Sequence, residues 1–187
     1  MRPMGNLPDK VIDELLVLQC QEGNREAFDR LVSRWQDRLW RHAWQMTGRE
    51  DAAWDIVQET WAAVVKGIRR LERPSAFPRW VYQVCTNRCA SWVRQRQRER
   101  RLAAGLANEP AAQSEPPPGA ADLPETVRRA AACLPEDQRA AVSLYYGEGL
   151  SVAEIAEVLG AAEGTVKSRL YHAREALRRL LESDRHG

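Results

Sequence analysis

An all-α fold, two helical domains joined by a flexible linker, is what the sequence predicts, and three observations carry that reading. Ala, Arg, Glu and Leu dominate the 187 residues, and no stretch alternates polar and apolar residues for long enough to make a sheet. Apolar residues recur instead at i, i+3, i+4 and i+7, in segments bounded by helix-capping residues. Between residues 102 and 122 that period stops, in a run that includes EPAAQSEPPPGAAD. Such a run is too polar and too rich in Pro to pack, so it reads as a semi-extended linker. The expected division is residues 1–98, a linker at 99–122, and residues 123–187.

Residues 1–6 are expected to fray. A short helix starts at Pro8, with Val11, Leu15 and Leu18 turned inward, and ends near Gly23. Asn24 caps a longer helix whose apolar stripe is Ala27, Phe28, Leu31, Trp35, Leu39, Ala43 and Met46, closed by Gly48. A third runs from about Glu50 to Leu71, with Ala53, Ile56, Val57, Trp61, Val64 and Ile68 facing in. A fourth, over residues 75–96, carries Phe77, Trp80, Val81, Val84, Cys85, Ala90 and Trp92, shared between a core face and an aromatic outer face, and its end is strongly basic. All seven tryptophans precede Val93. Most read as core anchors, with Trp80 and its neighbours kept as candidates for contact with nucleic acid. After the linker, Pro124 opens a helix that ends before Pro135, and the helix after Pro135 offers Ala141, Val142, Leu144 and Tyr145 as a floor for the last two helices.

Residues 150–181, LSVAEIAEVLGAAEGTVKSRLYHAREALRRLL, read as a helix-turn-helix. Ser151 and Glu154 form a capping box. Val152, Ile155, Ala156 and Leu159 make the buried stripe of the first helix, Gly160 supplies the left-handed turn, and small Ala156 lets a second helix cross closely. That second helix starts near Glu163 and buries Val166, Leu170, Ala173 and Leu177. On its other side stand Lys167, Ser168, Tyr171 and His172, with Arg174 and Arg178 along the edge. Hydrogen-bonding and cationic groups on a protruding helix suit the base edges and phosphates of a DNA major groove.

Composition narrows the rest. The net charge of +2 conceals arginine clusters at residues 94–101 and 169–179, so local patches matter more than the sum. The four cysteines, Cys20, Cys85, Cys89 and Cys133, fit no disulfide framework or zinc knuckle. Cys85 and Cys89 stand one turn apart and could share a metal with His42, but spacing suggests no further ligand, so buried thiols in a reducing compartment are expected, with no metal and no cofactor. Absence of a signal peptide or a membrane-length apolar run predicts a cytoplasmic protein without membrane insertion.

Two constellations lie in the first domain. In DIVQETW, Asp55, Gln58 and Glu59 share one helix face while Ile56, Val57 and Trp61 take others; an acidic and amide face suits a basic helical surface of another protein and would repel DNA phosphates. The segment from Arg73 onward interleaves aromatic, amide and guanidinium groups, a composition suited to stacking unpaired bases and neutralising phosphate.

Taken together, DIVQETW, SAFPRWVYQVCTNRCASWVRQR and LPEDQRAAVSLYYGEGLSVAEIAEVLGAAEGTVKSRLYHAREALRRLL resemble the bacterial RNA polymerase sigma factors of the extracytoplasmic-function (ECF) group, over nearly the whole chain. The resemblance implies a region 2 bundle, a region 4 helix-turn-helix and a reduced linker between them. It implies that Asp55, Gln58 and Glu59 dock on the clamp helices of the polymerase beta-prime subunit. Phe77, Trp80 and Asn87 match residues near the pocket for a flipped base of the minus-10 element, with Arg88 and Arg94 close to the strand. Lys167, Ser168, Tyr171 and His172, with Arg174, match the minus-35 readers. Implied partners are core polymerase, through its clamp helices and beta flap, promoter DNA, and an anti-sigma factor. His172 stands where the family often has Arg, and Ala161 and Ala162 replace Pro or Ser in the turn. Such a chain has no chemistry of its own. Two other classes compete. A stand-alone duplex-binding regulator would lack the need for DIVQETW, and an enzyme built on Cys85 or Cys89 would need a histidine and an orienting carboxylate that spacing does not supply.

Overall fold

A computed structural model describes residues 8–103 and 125–183, and among these every regular element is helical. The expectations for residues 1–6 and for most of the linker fall outside the described residues. The N-terminal module comprises α1 (Asp9–Gln21), α2 (Arg25–Thr47), α3 (Glu50–Gly67) and α4 (Phe77–Ala103), with short 3-10 turns at Ile68–Arg70 and Pro74–Ala76. The C-terminal module comprises α5 (Glu125–Ala132), α6 (Glu136–Val142), a wide π turn (Ser143–Gly147), α7 (Val152–Leu159) and α8 (Glu163–Ser183).

α1 is inserted the other way round from the expected orientation. Leu16, Val17 and Cys20 are buried, whereas Val11, Leu15 and Leu18 remain 37%, 38% and 46% exposed. The helix is apolar around so much of its circumference that period alone leaves two stripes open. Arg34 on α2 decides between them: it hydrogen-bonds Asp13 at 2.7 Å and Asp9 at 2.9 Å. Asp13 lies on the Leu16, Val17 and Cys20 side, and a buried carboxylate with a guanidinium partner can go inward.

α2 and α3 bury the predicted stripes, except that Phe28 is only partly covered. Asn24 accepts a hydrogen bond from the Ala27 amide at 3.1 Å. Of the tryptophans, Trp35, Trp40, Trp44 and Trp61 are core, Trp80 and Trp92 are half-buried, and Trp54 is exposed. α4 begins with Phe77, after the 3-10 turn, and continues to Ala103, beyond both its expected end and the expected start of the linker. Polar pairs one turn apart, Gln95 with Glu99 and Arg96 with Glu99, sustain this exposed stretch.

The helix-turn-helix forms as the sequence predicts. Ser151 Oγ accepts from the Glu154 amide at 3.3 Å, and the Glu154 carboxylate accepts from the Ser151 amide at 2.9 Å. Gly160 adopts φ 59°, a conformation that would strain any residue with a Cβ. Val158 joins Ile155 in the core, while Val152, Ala156 and Leu159 are only half-covered; on α8, Val166, Leu170 and Ala173 are buried. Ser151→Ala is expected to cost about 1 kcal/mol, measurable as a lower urea midpoint with an unchanged slope.

The two modules also share one apolar core. Ala140, Ala141, Leu144, Ile155 and Val158 belong to the same buried cluster as Leu39, Ala43, Val81 and Cys85. α7 packs on α4, and the α6 end and its π turn pack on α2.

Candidate functional site

Three exposed faces and one internal seam hold the residues of interest. On α3, Asp55, Gln58 and Glu59 are all exposed, as their spacing requires. Glu59 receives a hydrogen bond from Arg88 of α4. Arg88, expected beside DNA, is thereby tied to the acidic face instead.

On α4, Trp80, Asn87 and Arg94 lie within about 40° of one another on the helical wheel. Asn87 and Arg94 are exposed and Trp80 is half-buried. Trp80 sits directly over Gly67: a Cβ there would come within 2.7 Å of its ring. Glycine at 67 is therefore what lets the indole lie flat against the end of α3. Phe77 is fully buried, edge-to-face with Trp35 at 5.5 Å and with Trp80 at 6.2 Å. It offers no surface to a base, and its place is beneath Trp80 as a support.

On α8, Lys167, Ser168, Tyr171 and His172 form a continuous exposed face, with the Tyr171 and His172 rings 5.5 Å apart. Lys167 is held loosely by Glu163 at 3.9 Å. Arg174 behaves differently. It donates to the Tyr146 hydroxyl at 2.6 Å and lies over the rings of Tyr145 and Tyr146, which anchors the π turn to α8.

The seam between modules is polar at several points within its apolar core, and sequence reasoning missed it. His42 of α2 is fully buried, with Nδ1 2.7 Å from Ser143 Oγ and Nε2 2.8 Å from Thr86 Oγ1. Burial pushes its pKa down to about 4, so the ring is neutral, donating through one nitrogen and accepting through the other. Glu148, after the π turn, accepts from the Tyr82 hydroxyl and from Arg38 Nε at 3.3 Å. Burial raises its pKa and that of Tyr82. Arg139 of α6 donates to the carbonyls of Met46, Ala132 and Leu134, each at 2.9 Å, satisfying carbonyls at the ends of α2 and α5. Two ion pairs cross from α4: Arg79 to Glu157 at 2.6 Å and Arg94 to Glu136 at 3.6 Å. A helical period marks these positions as polar but cannot say that the two modules meet across 42 to 110 residues of chain.

Cys20, Cys85 and Cys89 are buried, whereas Cys133, contrary to expectation, is exposed. A hydrogen bond with Cys85 and burial push the Cys89 thiol up, and burial does the same to Cys20. Neither thiol suits nucleophilic work.

Comparison with known proteins decides what these faces belong to. Residues 31–99 match the family model for Sigma-70 region 2, and residues 125–177 that for Sigma-70, region 4. The ECF RNA polymerase sigma-E factor of Haemophilus influenzae is 29% identical over 187 residues, covering 94% of this chain and 98% of that protein. The sigma factor RpoE of Bartonella quintana, solved with the anti-sigma factor NepR, is 30% identical, has a TM-score of 0.70, and covers 84% of this chain and 98% of its own. The chain belongs to the extracytoplasmic-function sigma factors. It directs promoter-specific initiation of transcription. A second similar sigma factor is SigW of Bacillus subtilis, 28% identical over 176 residues, covering 88% of this chain and 94% of that protein. CnrH, solved in complex with the cytosolic domain of CnrY, is 25% identical with a TM-score of 0.71, covering 92% of this chain and 99% of that one. No helix among the described residues of this sigma factor is long and apolar enough to cross a membrane.

Proposed function

We propose that this sigma factor is a dissociable, non-enzymatic specificity subunit acting in the cytoplasm. The module of α1 to α4 grips core polymerase and the opened minus-10 strand, the chain between Ala103 and Glu125 links it to the second module, and the module of α5 to α8 grips the minus-35 duplex and the beta flap. Asp55, Gln58 and Glu59 meet the clamp helices of the beta-prime subunit. Trp80, Asn87 and Arg94 take the unpaired strand, with Phe77 buttressing Trp80 and Arg88 bridging to Glu59. Lys167, Ser168, Tyr171 and His172 read the major groove, while Arg174 holds the helix-turn-helix to its floor. Stacking a base returns about 1–3 kcal/mol, close to what unstacking costs, so capture can tip melting without ATP.

The observation that carries this reading is the coexistence of an acidic face on α3, an aromatic and amide line on α4 and a basic face on α8. Initiation assayed with bacterial core polymerase on a promoter library tests it: one promoter class is expected to be used with the sigma factor present and none without it. Binding of duplex DNA with no association with core polymerase would favour the stand-alone regulator.

The packed arrangement is, on this reading, a resting form. α7 packs against both α4 and α8, and helices pack about 8–10 Å apart, so where they meet α7 the axes of α4 and α8 are at most about 20 Å from each other. Promoter elements centred about 25 base pairs apart are on the order of 85 Å apart at about 3.4 Å per pair. The chain between Ala103 and Glu125 can extend to roughly 75 Å, enough once the seam parts. The solved complex of RpoE with the anti-sigma factor NepR supports an anti-sigma partner for this chain, and the packed form is the state such a partner would hold.

Substitution should separate base from structural contacts. Lys167→Ala is expected to weaken promoter binding by about 1–3 kcal/mol and to relax one base position. Arg174→Ala should lower the melting temperature and leave sequence preference unchanged, as read by binding to a library of minus-35 variants.

A further inference from the structure

α4 carries a pair of cysteines at the boundary between the modules. Cys85 and Cys89 stand one turn apart, and neither has any exposed surface. The Cys85 thiol donates to the Leu39 carbonyl of α2 at 3.9 Å, and the two thiols hydrogen-bond to each other. Both lie in the buried cluster that takes in Ala140, Ala141 and Leu144 of the second module. After the bond to Cys85 and burial, the Glu136 carboxylate of α6 further holds the Cys89 thiol protonated. Five residues along α4, Arg94 pairs with the same carboxylate at 3.6 Å. Cys89 is therefore covered by the second module, and parting the modules uncovers it.

The helix decides what such a pair can bind. Positions i and i+4 hold their Cβ atoms about 5–6 Å apart, beyond the roughly 3.5–4.5 Å of a disulfide, so oxidation to a disulfide would require α4 to unwind. An atom that bridges the two sulfurs fits without unwinding. Zinc takes four ligands, and among the described residues no three His, Cys, Asp or Glu side chains are grouped to hold a metal ion. A linear two-coordinate ion would need the sulfurs on opposite sides of it, whereas hydrogen-bonded thiols approach from one side. Trivalent arsenic is pyramidal and is satisfied by two sulfurs and one oxygen or carbon.

We infer that Cys85 and Cys89 form a dithiol site for trivalent arsenic, reached when the modules part, and that its occupation keeps them from closing. The gating of the site rests on the packed resting form proposed above. With an arsonous group, R–As(OH)2, two S–H and two As–OH bonds break, two As–S bonds form and two waters leave; arsenic stays trivalent and no oxidant is needed. The bound group adds volume to a close-packed cluster, so that Ala140, Ala141 and Leu144 cannot return without forcing side chains off their rotamers. A thiophilic poison would thus leave this sigma factor in the form that can reach both promoter elements. Brief labelling of the packed form with a thiol reagent reaches Cys133 and not the pair.

The test treats the full-length protein with phenylarsine oxide in excess monothiol, which strips arsenic from single cysteines such as Cys133, and counts adducts by intact-mass spectrometry. One arsenical per chain is expected in wild type and in Cys133→Ser, and none in Cys85→Ala or Cys89→Ala; two variants guard against a folding defect in one, which circular dichroism detects. Glu136→Gln combined with Glu157→Gln removes both ion pairs that cross from α4 and should speed adduct formation about threefold or more. Small-angle X-ray scattering should give the adduct a larger radius of gyration than the untreated protein. No adduct in wild type, or an adduct kept in a folded alanine variant, overturns the site and leaves the packed resting form untouched. An adduct that forms at equal rate in the paired glutamine variant, or that leaves the radius of gyration unchanged, overturns the gating. A free protein that already has the radius of gyration of separated modules before arsenical is added contradicts the resting form itself, and the gating with it.

Discussion

Phe77→Ala is expected to destabilise the N-terminal module by about 3–5 kcal/mol, the range for removing a fully buried aromatic ring. The ring has no exposure and touches Trp35 and Trp80 edge-to-face. Its loss leaves a cavity under the very indole that the minus-10 strand would stack on. Trp80→Ala, by contrast, removes a half-buried ring and should cost less stability but more open-complex formation. The pair therefore separates support from contact: urea unfolding should rank Phe77→Ala as the worse, and permanganate footprinting of melted promoter should rank Trp80→Ala as the worse after correction for folded fraction. If Phe77→Leu restores stability and also restores melting, the support role holds. If melting stays lost in a stable Phe77→Leu protein, the ring touches DNA in an arrangement other than the packed one.

Acid should loosen the packed form through His42. Its ring is neutral between Ser143 and Thr86 down to about pH 4, against an ordinary value of 6.5. Once the seam parts, the ring meets water and takes a proton near its ordinary value. Between those limits the parted form binds more protons than the packed one. Closure is therefore at full strength above pH 6.5 and weakens progressively as pH falls toward 4. At about 1.4 kcal/mol per pH unit the full loss is roughly 3 kcal/mol. Glu148 and Glu136 act in the opposite sense. Burial raises the pKa of each, so they take up protons in the packed form first, and acid relieves their cost. His42→Gln, which can still bond both hydroxyls, should flatten the acid-side fall in stability, leaving the share of the ion-paired and capping carboxylates such as Glu154, and Glu148→Gln should steepen it. The measurement is urea unfolding from pH 7.5 to 4.5; an unchanged profile in His42→Gln would mean that other groups set the acid response.

How much of the fold is legible in the sequence depends on the kind of interaction. Capping chemistry was legible residue by residue: Asn24, Ser151 with Glu154, and Gly160 act where they stand, through neighbours three or four residues away. The stripes of α2, α3 and α8 were legible too, because each has one apolar side. α1 was not, since its two apolar stripes are equivalent until Arg34 from another helix chooses between them. Exposure of Asp55, Gln58, Glu59, Lys167 and Tyr171 came from helical spacing, whereas burial of Phe77 depended on the ring of Trp35, 42 positions away in the sequence. The seam was illegible for the same reason on a larger scale. His42 was weighed only as a metal partner for Cys85 and Cys89, because neither Thr86 nor Ser143 is near it in the chain, and the π turn that brings Ser143 round has no side-chain signature.

Both promoter elements can be reached at once only if the packed resting form parts. Distance between spin labels on the native exposed Cys133 and on Ser33→Cys reads this directly, since Cys20, Cys85 and Cys89 are buried from the reagent. The free sigma factor is expected to give one short, narrow distance, and the complex with core polymerase and promoter a distance longer by tens of ångströms. An initiation-competent complex that keeps the short distance would contradict it.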